Sequence, residues 1–113
     1  MDRIELYRQI LRDTVNRHAR YAPANGNIKT QAICDPSQDE YLVMDIGWNE
    51  KQRRIHDVVL HFRLTAGKIY VENDGTDAEI VRELLNAGIP QNDIVLTFRT
   101  PQPNTVNELA LTT

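Results

Sequence analysis

Along this chain, apolar residues recur first at helical spacing and then at strand spacing. Ile4, Tyr7, Leu11, Val15 and His18 form a stripe flanked by Leu6 and Ile10, which predicts an amphipathic helix over residues 2–21. Asp2 and Glu5 have capping-box spacing at its start, and Pro23, Asn25, Gly26 and Asn27 end it. The period then falls to two. Strands are predicted over Ile28–Cys34, Tyr41–Trp48, about Arg54–Leu64 and Lys68–Asn73. Asp35-Pro36-Ser37, the polar stretch Asn49–Gln52 and the hairpin signal Ala66-Gly67 separate them. Alternation turns Leu42, Met44, Ile46 and Trp48 inward on the second strand. On the third it turns His56, Val58, Leu60, Phe62 and Leu64 inward, and on the fourth Ile69 and Val71.

Helical spacing returns after Asp74-Gly75. Thr76 and Glu79 have capping-box spacing for a second helix reaching about Asn86, with Ile80, Val81, Leu84 and Leu85 as its apolar face. Gly88 stands where a helix takes a left-handed residue, Ile89 can contact the last turn, and Pro90 stops propagation. A last strand is expected over about Ile94–Phe98. The tail from about residue 100, with Pro101 and Pro103, is expected to be irregular, although Val106, Leu109 and Leu111 could anchor it.

These elements predict an α+β fold: an N-terminal helix, a four-stranded antiparallel meander, a second helix and a final strand. Both helices need a surface for their stripes, so both are expected on one sheet face. The opposite face is left for solvent or a partner. Tyr41, Val43, Val59, His61 and Tyr70 are assigned to it, and it is more apolar than a plain solvent face. That composition makes it a candidate interface and a homo-oligomer the expected state. At 113 residues the chain is expected to be one domain over 1–113.

Charge narrows the functions. Thirteen basic and sixteen acidic residues give a net charge of -3, which disfavours free-standing, non-specific DNA binding. The first helix is the local exception, with Arg3, Arg8, Arg12, Arg17 and Arg20 against Asp2, Glu5 and Asp13. It reads either as a solvated face or as a contact for nucleic acid or an acidic partner through Arg8, Arg12 and Arg17. Cys34 is the sole cysteine, so no intrachain disulfide can form, which fits a reducing cytoplasm. No signal-type apolar core follows Met1 and no apolar run is long enough to span a membrane, so neither export nor membrane insertion is expected.

No self-sufficient catalytic centre can be assembled, and no cofactor or metal is expected. His56 and His61 are five apart in one strand, which by alternation sends them to opposite faces, and CxxC and HExxH motifs are absent. Cys34 has no partner near in sequence and reads as a half-buried sheet residue. Glu72, Asp74, Asp77 and Glu79 gather at the strand-to-helix junction, either as a magnesium-binding nuclease corner or as turn and first-turn carboxylates. No phosphate loop or dinucleotide fingerprint occurs. Trp48 reads as a core plug at a strand end.

Several blocks together resemble the XisI family, the fdxN element excision controlling factors of cyanobacteria. They are Asp39-Glu40-Tyr41-Leu42-Val43-Met44-Asp45-Ile46-Gly47-Trp48, then Arg54-Ile55-His56 and Val59-Leu60-His61, then Gly67-Lys68-Ile69-Tyr70-Val71-Glu72-Asn73-Asp74-Gly75-Thr76. Glu83-Leu84-Leu85-Asn86-Ala87-Gly88-Ile89-Pro90 and Asp93-Ile94-Val95-Leu96-Thr97-Phe98 continue the resemblance over nearly the whole chain. The resemblance implies a non-enzymatic accessory role in programmed DNA excision during heterocyst differentiation. There the factor acts with an XisH-like partner, and a separate site-specific recombinase breaks the DNA. Association with recombinase and DNA would then be indirect. The resemblance supplies no catalytic or metal-binding residue.

Overall fold

Asp2 begins the fold by accepting a 2.8 Å hydrogen bond from the Glu5 amide, which caps α1 (Arg3–Ala19) as its spacing predicts. The computed structural model describes residues 2–20, 27–76 and 79–97. Tyr7, Leu11, Thr14 and Val15 are the buried residues of α1. Thr14 can join this apolar stripe because its hydroxyl donates to the Ile10 carbonyl at 2.7 Å.

β1 (Asn27–Asp35), β2 (Glu40–Trp48), β3 (Arg54–Thr65) and β4 (Lys68–Asp74) form the expected antiparallel meander. The chain then crosses through α2 (Ile80–Asn86) to β5 (Ile94–Leu96), which lies parallel to β4. The result is a five-stranded mixed sheet in the order β1-β2-β3-β4-β5. The last strand is three residues long, and Phe98 and the tail lie outside the described residues.

Both helices cover the same sheet face. Tyr7, Leu11 and Val15 of α1 and Ile80 and Leu84 of α2 share one core with Leu60, Phe62, Ile69 and Val71 of the sheet. The helices also meet directly. Glu83 of α2 accepts from Arg17 at 2.7 Å, and its two oxygens lie 3.0 and 3.1 Å from His18 Nε2. Burial pushes the Glu83 carboxyl up, but the Arg17 and His18 bonds outweigh it and leave the group below its ordinary value. A depressed carboxylate stabilises the fold above its unfolded value and loses that contribution as pH falls through the folded one. Glu83→Gln is therefore expected to cost about 1 kcal/mol at neutral pH. Thermal melts should show the variant and the parent converging as pH falls below the ordinary glutamate value.

Local chemistry ends each element. Gly88 donates to the Leu85 carbonyl at 3.0 Å and Ile89 to the Leu84 carbonyl at 3.1 Å, the paired bonds of a Schellman motif. Ile89 is buried, as its position after the glycine predicts. The start of α2 differs from expectation. Glu79 occupies the cap position without a side-chain bond, and Thr76 instead donates to Asp74 from its amide and hydroxyl at 3.1 and 2.7 Å. Asp74 has captured the residue that the capping-box reading assigns to the helix.

Ala66 and Gly67 turn β3 into β4 with φ of 53° and 76°. A two-residue hairpin with both φ positive suits the twist of the flanking strands, but it strains a residue bearing a Cβ. Ala66→Asn or Ala66→Gly is expected to raise stability by about 1 kcal/mol, read as a later midpoint in urea.

Candidate functional site

The face away from the helices is the candidate site, and two ladder irregularities determine which residues reach it. The register between β2 and β3 shifts between Val43 and Met44, where Val43 opposes Leu60 but Met44 opposes Val58. Val59 is the extra residue of a bulge, half-buried and packed on the core. A second shift follows between His61 and Phe62 against β4.

The first bulge inverts one side of the alternation reading. Leu60, Phe62 and Leu64 face the core as expected, whereas Val58 and His56 turn to the uncovered face and are exposed. His56 opposes Ile46 and His61 opposes Leu42, so both histidines reach that same face. The expectation of opposite faces fails because the bulge adds one residue between them.

β2 is reversed with respect to expectation. Tyr41 and Val43 are 1% exposed and lie in the core beneath α1, where they oppose Phe62 and Leu60. The assignment of these two residues to the free face is thereby corrected, as is that of Val59, which the bulge leaves packed against the core. Tyr41 is held there by polar chemistry as well as packing. Its hydroxyl donates to Asp39 at 3.1 Å, and Arg8 of α1 donates to the same carboxylate at 2.9 and 3.2 Å. Burial first and the Asp39 bond second push the Tyr41 hydroxyl up to about 12, so it remains a donor at neutral pH.

The open face therefore carries Ile33 of β1, Leu42, Met44, Ile46 and Trp48 of β2, and Val58 of β3. Ile33 is 37% exposed, Trp48 46% and Val58 36%. Trp48 is a partly exposed surface ring and not the expected core plug. The Arg54 guanidinium lies 5.5 Å from its ring centre, a cation–π arrangement that holds the indole while leaving area uncovered. His61 and Tyr70 are half-buried on this face, with Tyr70 opposite Arg63. Glu40 accepts from Arg63 at 2.9 Å and lies 2.7 Å from His61, giving one border of the apolar area an internally satisfied charge cluster.

The arginines of α1 are differently placed. Arg8 is bonded to Asp39 and Glu5, and Arg17 to Glu83, so both are committed to internal carboxylates. These bonds hold the Arg8 guanidinium firmly in its charged form. Arg12 is exposed and lies near Cys34, whose thiol is pushed up by burial and drawn down by Arg12.

At the acidic junction Asp74 serves Thr76, and Glu79 pairs with Arg82 at 2.9 Å. Asp77 lies outside the described residues. Among the described residues no three His, Cys, Asp or Glu side chains are grouped to hold a metal ion. No helix among them is long and apolar enough to cross a membrane.

Sequence alternation missed Leu42, Met44, Ile46, Trp48 and Val58 as face residues. The available signal was that both faces of residues 41–48 are apolar, which leaves the inward side undecided until the helix and bulge are placed.

The family model described as XisI protein matches residues 1–111. An XisI-like protein from Anabaena variabilis has a solved structure that is 28% identical, with a TM-score of 0.80. The match covers 87% of this chain and 89% of that one. The fdxN element excision controlling factor XisI from Anabaena variabilis is 32% identical with a TM-score of 0.75, covering 88% and 90%. No curated protein matches the chain.

Proposed function

The chain belongs to the XisI family, and from that premise we propose that it is a non-enzymatic factor controlling excision of a DNA element. In this reading it docks an XisH-like protein on its open sheet face, while a separate recombinase performs the strand cutting. The observation that carries the reading is the row of apolar residues along a face covered by neither helix. It runs from Ile33 beside Leu42, past Met44 and Val58, to Ile46 and Trp48, with Ile33, Val58 and Trp48 exposed. Water-exposed apolar area of this kind gains free energy when a complementary surface covers it. An aromatic ring at such a face is a common energetic centre of protein contacts.

Direct DNA binding through α1 is the less favoured reading. Two of the three arginines assigned to it already neutralise Asp39 and Glu83, and freeing them would sacrifice bonds that hold the fold. A nuclease reading draws on Asp74 and Glu79, which serve Thr76 and Arg82.

Coexpression with an XisH-like protein tests the proposal, with DNA-binding and cleavage assays on each protein alone and on the pair. A stable complex is expected, and Trp48→Ala should weaken it by more than about tenfold without shifting the melting temperature of the free chain. DNA cleavage by this chain alone, or a complex indifferent to Trp48, would overturn it.

A further inference from the structure

We propose that β1 pairs antiparallel with β1 of a second copy, joining two five-stranded sheets into one of ten strands. β1 is the outer strand of the sheet, and its nine residues run against β2 without a register shift from Asn27 opposite Trp48 to Asp35 opposite Glu40. Among the described residues nothing pairs with its other side. A long, regular edge of this kind presents a row of unpaired backbone groups to solvent. Among the described residues the devices that usually block edge pairing are few, for β1 contains no proline and no bulge, and Lys29 is its single lysine. The opposite edge differs, because β5 is only three residues long.

Charge selects the register. A two-fold axis perpendicular to the sheet keeps each face continuous, so residues that oppose one another must come from the same face. Asn27, Lys29, Gln31, Ile33 and Asp35 share the open face, while Ile28, Thr30, Ala32 and Cys34 share the helix face. Centring the pairing on Ala32 sets Lys29 opposite Asp35 of the second copy, and the two-fold repeats that pair. Gln31 then opposes Ile33, and Thr30 opposes Cys34. Moving the centre to Gln31 would set Lys29 against Ile33, and moving it to Ile33 would take Lys29 past the end of the opposing strand. Lys29 is exposed and makes no ion pair with another described residue. Asp35 receives bonds from Ser37 and Gln38 within its own turn, and its carboxylate can accept a further donor. The pairing also covers part of Ile33 and brings the two open faces side by side.

Sedimentation and cross-linking of the full chain test the pairing. The parent chain is expected to sediment as a dimer. Ala32→Cys combined with Cys34→Ser should form a disulfide dimer under mild oxidation, because self-opposed residues lie within disulfide reach across antiparallel strands. Val58→Cys in the same background should not. Lys29→Asp should raise the dimer dissociation constant by about tenfold or more, with an unchanged circular dichroism spectrum. A monomeric parent chain would overturn the proposal. So would a dimer that cross-links through Val58 and not Ala32, or one unaffected by Lys29→Asp. Binding to an XisH-like protein is read separately through Trp48, so failure of one surface leaves the other measurable.

Discussion

Gly47→Ala is expected to destabilise the fold by about 3 kcal/mol or more. Gly47 has φ of +150°, a conformation that residues with a side chain rarely adopt. A Cβ built there would lie 2.0 Å from the Asn27 carbonyl oxygen and 2.9 Å from the Ile28 Cα. Both atoms are backbone, so no flexible side chain can swing aside. β1 would have to retreat from β2 where the two strands begin their ladder, shifting the position of Trp48. Gly88 provides the comparison. It also has positive φ, at 110°, but no atom lies within 4 Å of its added Cβ. Gly88→Ala should therefore show only the conformational cost, about 1 kcal/mol. Urea denaturation of both variants checks the difference, and equal losses would show that the close approach at Gly47 carries little energy.

What could be read from sequence follows the range of the interactions involved. The cap of α1 depends on two residues three apart, and the end of α2 on a glycine followed by an apolar residue. Both are local, and both occur as the spacing indicates. Placement of both helices on one sheet face also follows, because each stripe requires an apolar surface. The start of α2 does not follow, since Asp74 and Glu79 compete for Thr76 and the outcome depends on the preceding turn.

Which face of β2 lies inward was not legible. Tyr41 and Val43 alternate with Leu42, Met44 and Ile46, and hydrophobicity alone ranks the two sets closely. The choice comes from distant contacts. Arg8 of α1 and the Tyr41 hydroxyl both donate to Asp39, and Leu60 and Phe62 oppose Val43 and Tyr41 across the ladder. The candidate site inherits this ambiguity, because reversing β2 exchanges core residues for face residues. The same holds for the arginines of α1. Arg8 and Arg17 resemble a basic patch in sequence and become internal ion pairs once Asp39 and Glu83 arrive from elsewhere in the chain.

The bulge at Val59 gives two neighbouring apolar residues of β3 very different burial. Val58 and Leu60 are two residues apart, and simple alternation would give both the same face and similar burial. The structure leaves Leu60 fully buried and Val58 36% exposed. Leu60→Ala should thus cost about 2–5 kcal/mol, combining lost apolar burial with the cavity left between α1 and the sheet. Val58→Ala should cost under about 1 kcal/mol, because its side chain already meets water and only strand preference is changed. Denaturant midpoints at matched slopes measure both changes. Similar losses would place both side chains on one face and remove the bulge. If the difference appears, Val58→Ala becomes a useful probe of the open face, since it should leave the fold intact while weakening any complex that covers that surface.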